Sequence, residues 1–159
     1  LLAHARAALR ETFEETGLLI GRHSDALRRE WASEPRTLTA VEAAYLAERI
    51  VPAVDALMPI GRAITPAASP IRFHAHFFMA DAELAVGALR VCGELEDLRW
   101  HSVESRELPE LADVTRFMLT QAVAARRHGV IDPIPLYRYV QGIPKVTRRS
   151  ARSPHDSNR

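Results

Sequence analysis

Three glutamates, Glu11, Glu14 and Glu15, crowd the stretch LRETFEETGLLIG just ahead of Gly17. On a helix turning 100° per residue, Glu15 lies about 40° and Glu14 about 60° from Glu11. The three carboxylates therefore share one face, opposite the apolar row Leu2, Ala5, Leu9 and Phe13. Hard divalent cations such as Mg²⁺ take oxygen ligands and keep several waters, so such a face suits an ion that also holds substrate phosphates. Position counts against the glutamates. Negative side chains at the C-terminal end of a helix oppose its macrodipole, and like charges at i, i+4 repel by about 0.2–0.5 kcal/mol. A bound cation reverses both penalties, whereas an ordinary solvated helix face leaves them standing.

Other residues offer less. His74 and His76 fall on one strand face, and His-x-His is a transition-metal spacing, but no third soft ligand accompanies them and zinc is not expected. Cys92 is the only cysteine, so no intramolecular disulfide can form, which suits a reducing, cytoplasmic setting. Its expected role is a small buried thiol rather than a nucleophile. Trp31 and Trp100 read as packing residues rather than base-stacking platforms. The basic residues Lys145, Arg148, Arg149 and Arg152 lack interleaved aromatics, so a solvated, disordered tail over 145–159 is expected in place of a nucleic-acid contact. Glycine-rich phosphate loops, Gly-x-Ser-x-Gly elbows and Cys-x-x-Cys pairs are absent from the sequence.

The elements that must position these groups follow from periodicity. Helical spacing runs from Leu2 to about Thr16 and stops at Gly17. Residues Asp25 to Met58 predict two or three short helices, with Thr39 as N-cap of one. GRAIT and IRFHAHFFMA predict two strands joined by a loop at PAASP, and LRVCGELEDLRWHSV continues in a strand-like way. ELPELADVTRFMLTQAVAARRHG returns to helical periodicity and closes at Gly129, and IDPIPLYRY is extended. The mixture is α/β. A length of 159 residues predicts one domain, and a net charge of +1 gives no global attraction to nucleic acid or anionic membrane. With no apolar run near the roughly 18 residues of a membrane span, a soluble protein is expected. The chain enters a helical pattern at Leu1 without a Met, so a segment preceding it in the natural protein is also expected.

RETFEETGL, Arg10 to Leu18, resembles the C-terminal half of the Nudix box: Arg, Glu, a hydrophobic residue, any residue, Glu, Glu, any residue, Gly, hydrophobic. Thr12 stands where that pattern has an aliphatic side chain. With ITP at Ile64 to Pro66, RFHAHFF at Arg72 to Phe78, GELEDLRW at Gly93 to Trp100 and DVTRFML at Asp113 to Leu119, the chain is similar to bacterial relatives of the peroxisomal CoA-diphosphatase branch of that superfamily. In that branch inserted residues interrupt the box, which accounts for Leu2 where an uninterrupted box has Glu. Relatives often carry an acid and an Arg where this chain has His74 and His76.

The resemblance implies an incomplete Nudix-type α/β/α sandwich over 1–144, with a mixed sheet and a helical insertion at 22–59. It also implies hydrolysis of a nucleoside diphosphate linked to another moiety, with Mg²⁺ or Mn²⁺ held by Glu11, Glu14 and Glu15. Arg10 would orient the glutamates through charge-assisted hydrogen bonds, and Gly17 would end the helix left-handed and turn the chain into LLIG. A general base outside the box is expected at Glu94, ahead of Glu96 and Glu83. The implied partner is a small-molecule nucleoside diphosphate derivative, with no membrane and no nucleic acid. The rival reading is a non-catalytic interaction or structural domain, a degenerate or truncated scaffold of the same family.

Overall fold

The computed structural model describes residues 1–24, 37–66, 68–90, 98–103 and 110–148. Helices and two sheets, one of them mixed, place the chain in the α/β class. The chain divides into two compact units, Leu1–Leu57 with Ala80–His101 and Met58–Met79 with Ser102–Arg159.

In the first unit, helix α1 (Leu2–Thr16) ends as its sequence predicts. Gly17 takes φ 77° and donates its N–H to the Phe13 carbonyl at 2.9 Å, closing the last turn in a conformation that costs glycine nothing. The inward stripe is shorter than expected. Ala5 and Leu9 are buried and Phe13 packs on the core, but Leu2 is exposed. Strand β1 (Leu19–His23) follows directly and pairs antiparallel with β2 (Ile50–Pro52) on one side and β5 (Ala85–Val86) on the other. β1 and β2 approach closely at Gly21, where a Cβ would lie 2.6 Å from the Val51 carbonyl oxygen. Helix α2 (Ala40–Ala47) starts at Thr39 with a complete capping box: Thr39 accepts from the Glu42 N–H, and the Glu42 carboxylate accepts from the Thr39 N–H. Its Tyr45 is buried with Leu19 and Ile50, and the phenol donates to the Ile20 carbonyl at 3.1 Å.

The region expected to be helical therefore contains a strand. α2 is the one helix among the described residues of 37–58, and Arg49, at φ 57°, reverses the chain into β2. The β-branched pair Ile50-Val51 meets an open edge of β1 there, and a single 3₁₀ turn (Val54–Ala56) follows.

The second unit is a four-stranded sheet in the order β4-β3-β6-β7, formed by β3 (Met58–Ile64), β4 (His74–Met79), β6 (Pro135–Val140) and β7 (Ile143–Arg148). β3 and β4, the two strands expected on either side of PAASP, pair antiparallel, and β3 runs parallel to β6. The connection to β6 includes helix α3 (Asp113–His128), which lays Met118 and Ala125 against Ile60, Ala63 and Tyr137. Arg126, Arg127 and His128 occupy its last turn, where positive charge complements the macrodipole.

Two further expectations change. Lys145–Arg148 do not belong to a disordered tail: they form most of β7, with Arg138 opposite Lys145 and Pro135 opposite Arg148. The cause is the turn Gln141-Gly142, both at positive φ, which fixes a two-residue hairpin and carries the polar residues into register with β6. Residues 149–159 lie outside the described part. The strand expected around LRVCGELEDLRWHSV is not found at residues 98–103, and residues 91–97 lie outside the described part. Among the described residues no helix is long and apolar enough to cross a membrane.

Candidate functional site

The glutamates stand where their spacing puts them. Glu11, Glu14 and Glu15 are all exposed on the last turns of α1. Arg10 lies between two of them, its Nη2 3.5 Å from Glu11 Oε1 and its Nε 3.7 Å from Glu14 Oε2. With side chains more than half exposed, such pairs are worth at most about 1 kcal/mol. The guanidinium is therefore held loosely. Glu15 makes no salt bridge among the described residues.

The donor chemistry fits a hard divalent cation: carboxylate oxygens, open to solvent, with room for retained waters. The side chains are not gathered into a preformed cage, because no group of three or more His, Cys, Asp or Glu is placed to hold a metal ion among the described residues. Arg10 sets one positive charge beside the two negative charges of Glu11 and Glu14.

A residue that spacing could not reveal also acts here. The backbone N–H of Arg90 donates to the Thr16 carbonyl at 2.9 Å, satisfying one of the carbonyls left open at the helix end. Its guanidinium lies 5.5 Å from the centroid of the Phe13 ring. A Cβ at Gly17 would come within 2.6 Å of Arg90 Nε and 3.0 Å of the Ala88 carbonyl oxygen, so residues 88–90 pack directly on the turn. Arg90 places a cation near the negative pole of α1, although the last turn itself carries no basic residue. Thr12 and Thr16, for their part, donate to carbonyls one turn back, so the departure at Thr12 is absorbed inside the helix.

The remaining candidates scatter. Glu83 is exposed in the 3₁₀ turn Ala82–Leu84, while Glu94 and Glu96 lie outside the described residues. His74 and His76 share a strand face as predicted, their ring centroids 5.0 Å apart, and Arg62 stands opposite His76 in the register. Trp100, expected to pack, is 68% exposed. Trp31 and Cys92 lie outside the described residues.

The surroundings of Asp55, Tyr45 and Tyr139 shift their ionisation. Arg22 Nη1 donates to both Asp55 carboxylate oxygens, at 2.8 and 3.0 Å, and this hydrogen bonding holds the Asp55 carboxyl below its ordinary range. Burial pushes the Tyr45 phenol up, against the hydrogen bond to Ile20. Tyr139 is raised to about 12, first by its neighbour Tyr137, then by burial and by Asp113, to whose Oδ2 its hydroxyl donates at 3.2 Å.

Comparison of the chain with family models, with curated proteins and with solved structures yields no match.

Proposed function

We propose that this chain belongs to a divalent-cation-dependent hydrolase that cleaves the phosphoanhydride of a nucleoside diphosphate derivative, CoA-type diphosphates included. The observation that carries the reading is one exposed face of α1 bearing Glu11, Glu14 and Glu15, with Arg10 beside two of them and a left-handed Gly17 leading straight into β1. Glu11, Glu14 and Glu15 would hold Mg²⁺ or Mn²⁺, and such an ion, when bound, neutralises the diphosphate and acidifies a water for attack on phosphorus.

The protein's own part is orientation. Arg10 restrains Glu11 and Glu14, and Gly17 with Arg90 fixes the end of the helix that carries them. We assign removal of the attacking water's proton to Glu94, ahead of Glu96 and Glu83. A Nudix-type sandwich is the fold we propose to accompany this activity; the Arg-Glu pattern, the left-handed turn and the mixed sheet support it.

The test is Mg²⁺- or Mn²⁺-dependent release of phosphorylated products from CoA, nucleotide sugars, dinucleoside polyphosphates and ADP-ribose. Combined Glu14→Gln and Glu15→Gln substitution is expected to lower kcat by at least about 100-fold, and unchanged turnover would overturn the assignment.

A second reading is favoured by one observation, the absence of a preformed metal group among the described residues. On that reading the chain is a non-catalytic interaction or structural domain, and Arg10 is the permanent counter-ion of the glutamates. Titration with Mn²⁺ separates the two: saturable binding that the double substitution removes supports the hydrolase, and none supports the binding domain.

A further inference from the structure

A cleft of about 770 Å³ opens between α1 and α2 in the first unit. Its walls are apolar where Leu9, Val41, Val51 and Pro52 line it, and small where α1 contributes Ala3 and Ala7. Charge enters at three points: Arg6 and Arg10 from α1, and Glu42 from α2. These charges are not equivalent. Glu42 is committed to its helix, since its Oε2 accepts from the Thr39 N–H at 2.9 Å and from the Thr39 hydroxyl at 3.1 Å. Arg6 makes no salt bridge among the described residues, and Arg10 is held only at 3.5 and 3.7 Å by exposed carboxylates.

Arg6 and Arg10 are one turn apart on α1, about 6 Å along the axis, and both are exposed. Two guanidiniums at that spacing match a head group with two negative charges and several acceptor oxygens better than a single carboxylate. The volume lies within the range of small-molecule sites, where apolar walls hold the body of a ligand and a few polar groups orient it.

We propose that this cleft binds an organic phosphate monoester, its phosphate held by Arg6 and Arg10 and its apolar body seated against Leu9, Val41 and Val51. The inference shares Arg10 with the hydrolase reading, but it needs neither a metal nor Glu11, Glu14 and Glu15 as ligands.

Phenyl phosphate is the probe, titrated into the whole chain in chelator-treated buffer and followed by methyl resonances and calorimetry. Inorganic phosphate, benzoate and phenol serve as comparison ligands. Phenyl phosphate is expected to bind tightest and to shift the Leu9, Val41 and Val51 methyls. Arg6→Ala and Arg10→Ala should each weaken it by about tenfold or more, and Arg6→Lys, which keeps charge but loses the planar fork, by a smaller factor. Unmoved methyls would overturn the proposal, as would equal affinity for benzoate or inorganic phosphate, or arginine variants that bind like the parent. Because no metal is present, failure here leaves the hydrolase assignment to its own kinetic test.

Discussion

At the residue scale, Glu11, Glu14 and Glu15 share one exposed face of α1, and the helix end draws counter-charge from elsewhere in the chain. Arg90 comes to Phe13 and Gly17 through a tertiary contact that no local pattern encodes. This bears on Arg10, which competes with any cation for Glu11 and Glu14. Arg10→Ala is expected to tighten Mn²⁺ binding by a factor of about two to five, the equivalent of an exposed ion pair, while lowering hydrolysis because the carboxylates lose their restraint. Calorimetric Mn²⁺ titration beside steady-state kinetics checks both halves, and weaker Mn²⁺ binding would show that Arg10 helps to build the site rather than to block it. A second prediction concerns Asp55. Its carboxyl is held below the ordinary range by Arg22, so the folded state binds that proton less readily than the unfolded state. Stability from this pair is therefore complete above the unfolded carboxylate range, near about pH 4, and is lost as pH falls through the lower folded value. Urea midpoints measured from pH 7 downward should fall less steeply in Asp55→Asn than in the parent.

At the element scale, what could be read depended on length and chemistry. α1, the Thr39 cap and the β3–β4 pair announce themselves through periodicity or a capping pattern. β2 does not, because three residues, Ile50–Pro52, are too few to display alternation, and only the open edge of β1 makes them a strand. β7 is hidden for another reason: it is largely exposed and mixes apolar residues with Lys145, Thr147 and Arg148, held by the Gln141-Gly142 turn and by Arg148 donating to the Gln121 side chain at 2.9 Å. Lys145 and Arg148 on such a strand also discourage further pairing at a sheet edge. The β1–β2 pair carries the sharper consequence. A methyl at Gly21 would press on the Val51 carbonyl oxygen, a backbone atom that cannot rotate away. Gly21→Ala is accordingly expected to cost about 1–3 kcal/mol, the range for overpacking, and to lower amide protection in β1 and β2 before that of β6 and β7. A chemical-denaturation midpoint equal to the parent's would contradict that close approach.

At the scale of the whole molecule, the chain builds two compact units that share it almost equally. No local signal could announce this, because β5, which completes the first unit's sheet, lies beyond the β3–β4 hairpin of the second. The connectivity alone couples their stabilities. Met58 and Met79 are paired partners at the ends of that hairpin, so while it is formed the chain leaves the first unit at Leu57 and returns at Ala80 across a short gap. If the hairpin unfolds, the same connection becomes a loop of about twenty residues, and closing it costs about 2 kcal/mol more, a little over three doublings of loop length. The penalty falls on β5 pairing with β1; the β1–β2 pair lies wholly within residues 19–52 and escapes it. Met118→Ala removes a buried side chain from the second core and is expected to cost that unit about 2–5 kcal/mol. Hydrogen exchange on this variant, under denaturant sufficient to open the second unit, should show β5 protection reduced by up to about 2 kcal/mol with β1–β2 amides little changed. If β5 kept its full protection while β3 and β6 exchanged freely, the two units would be folding without this topological link.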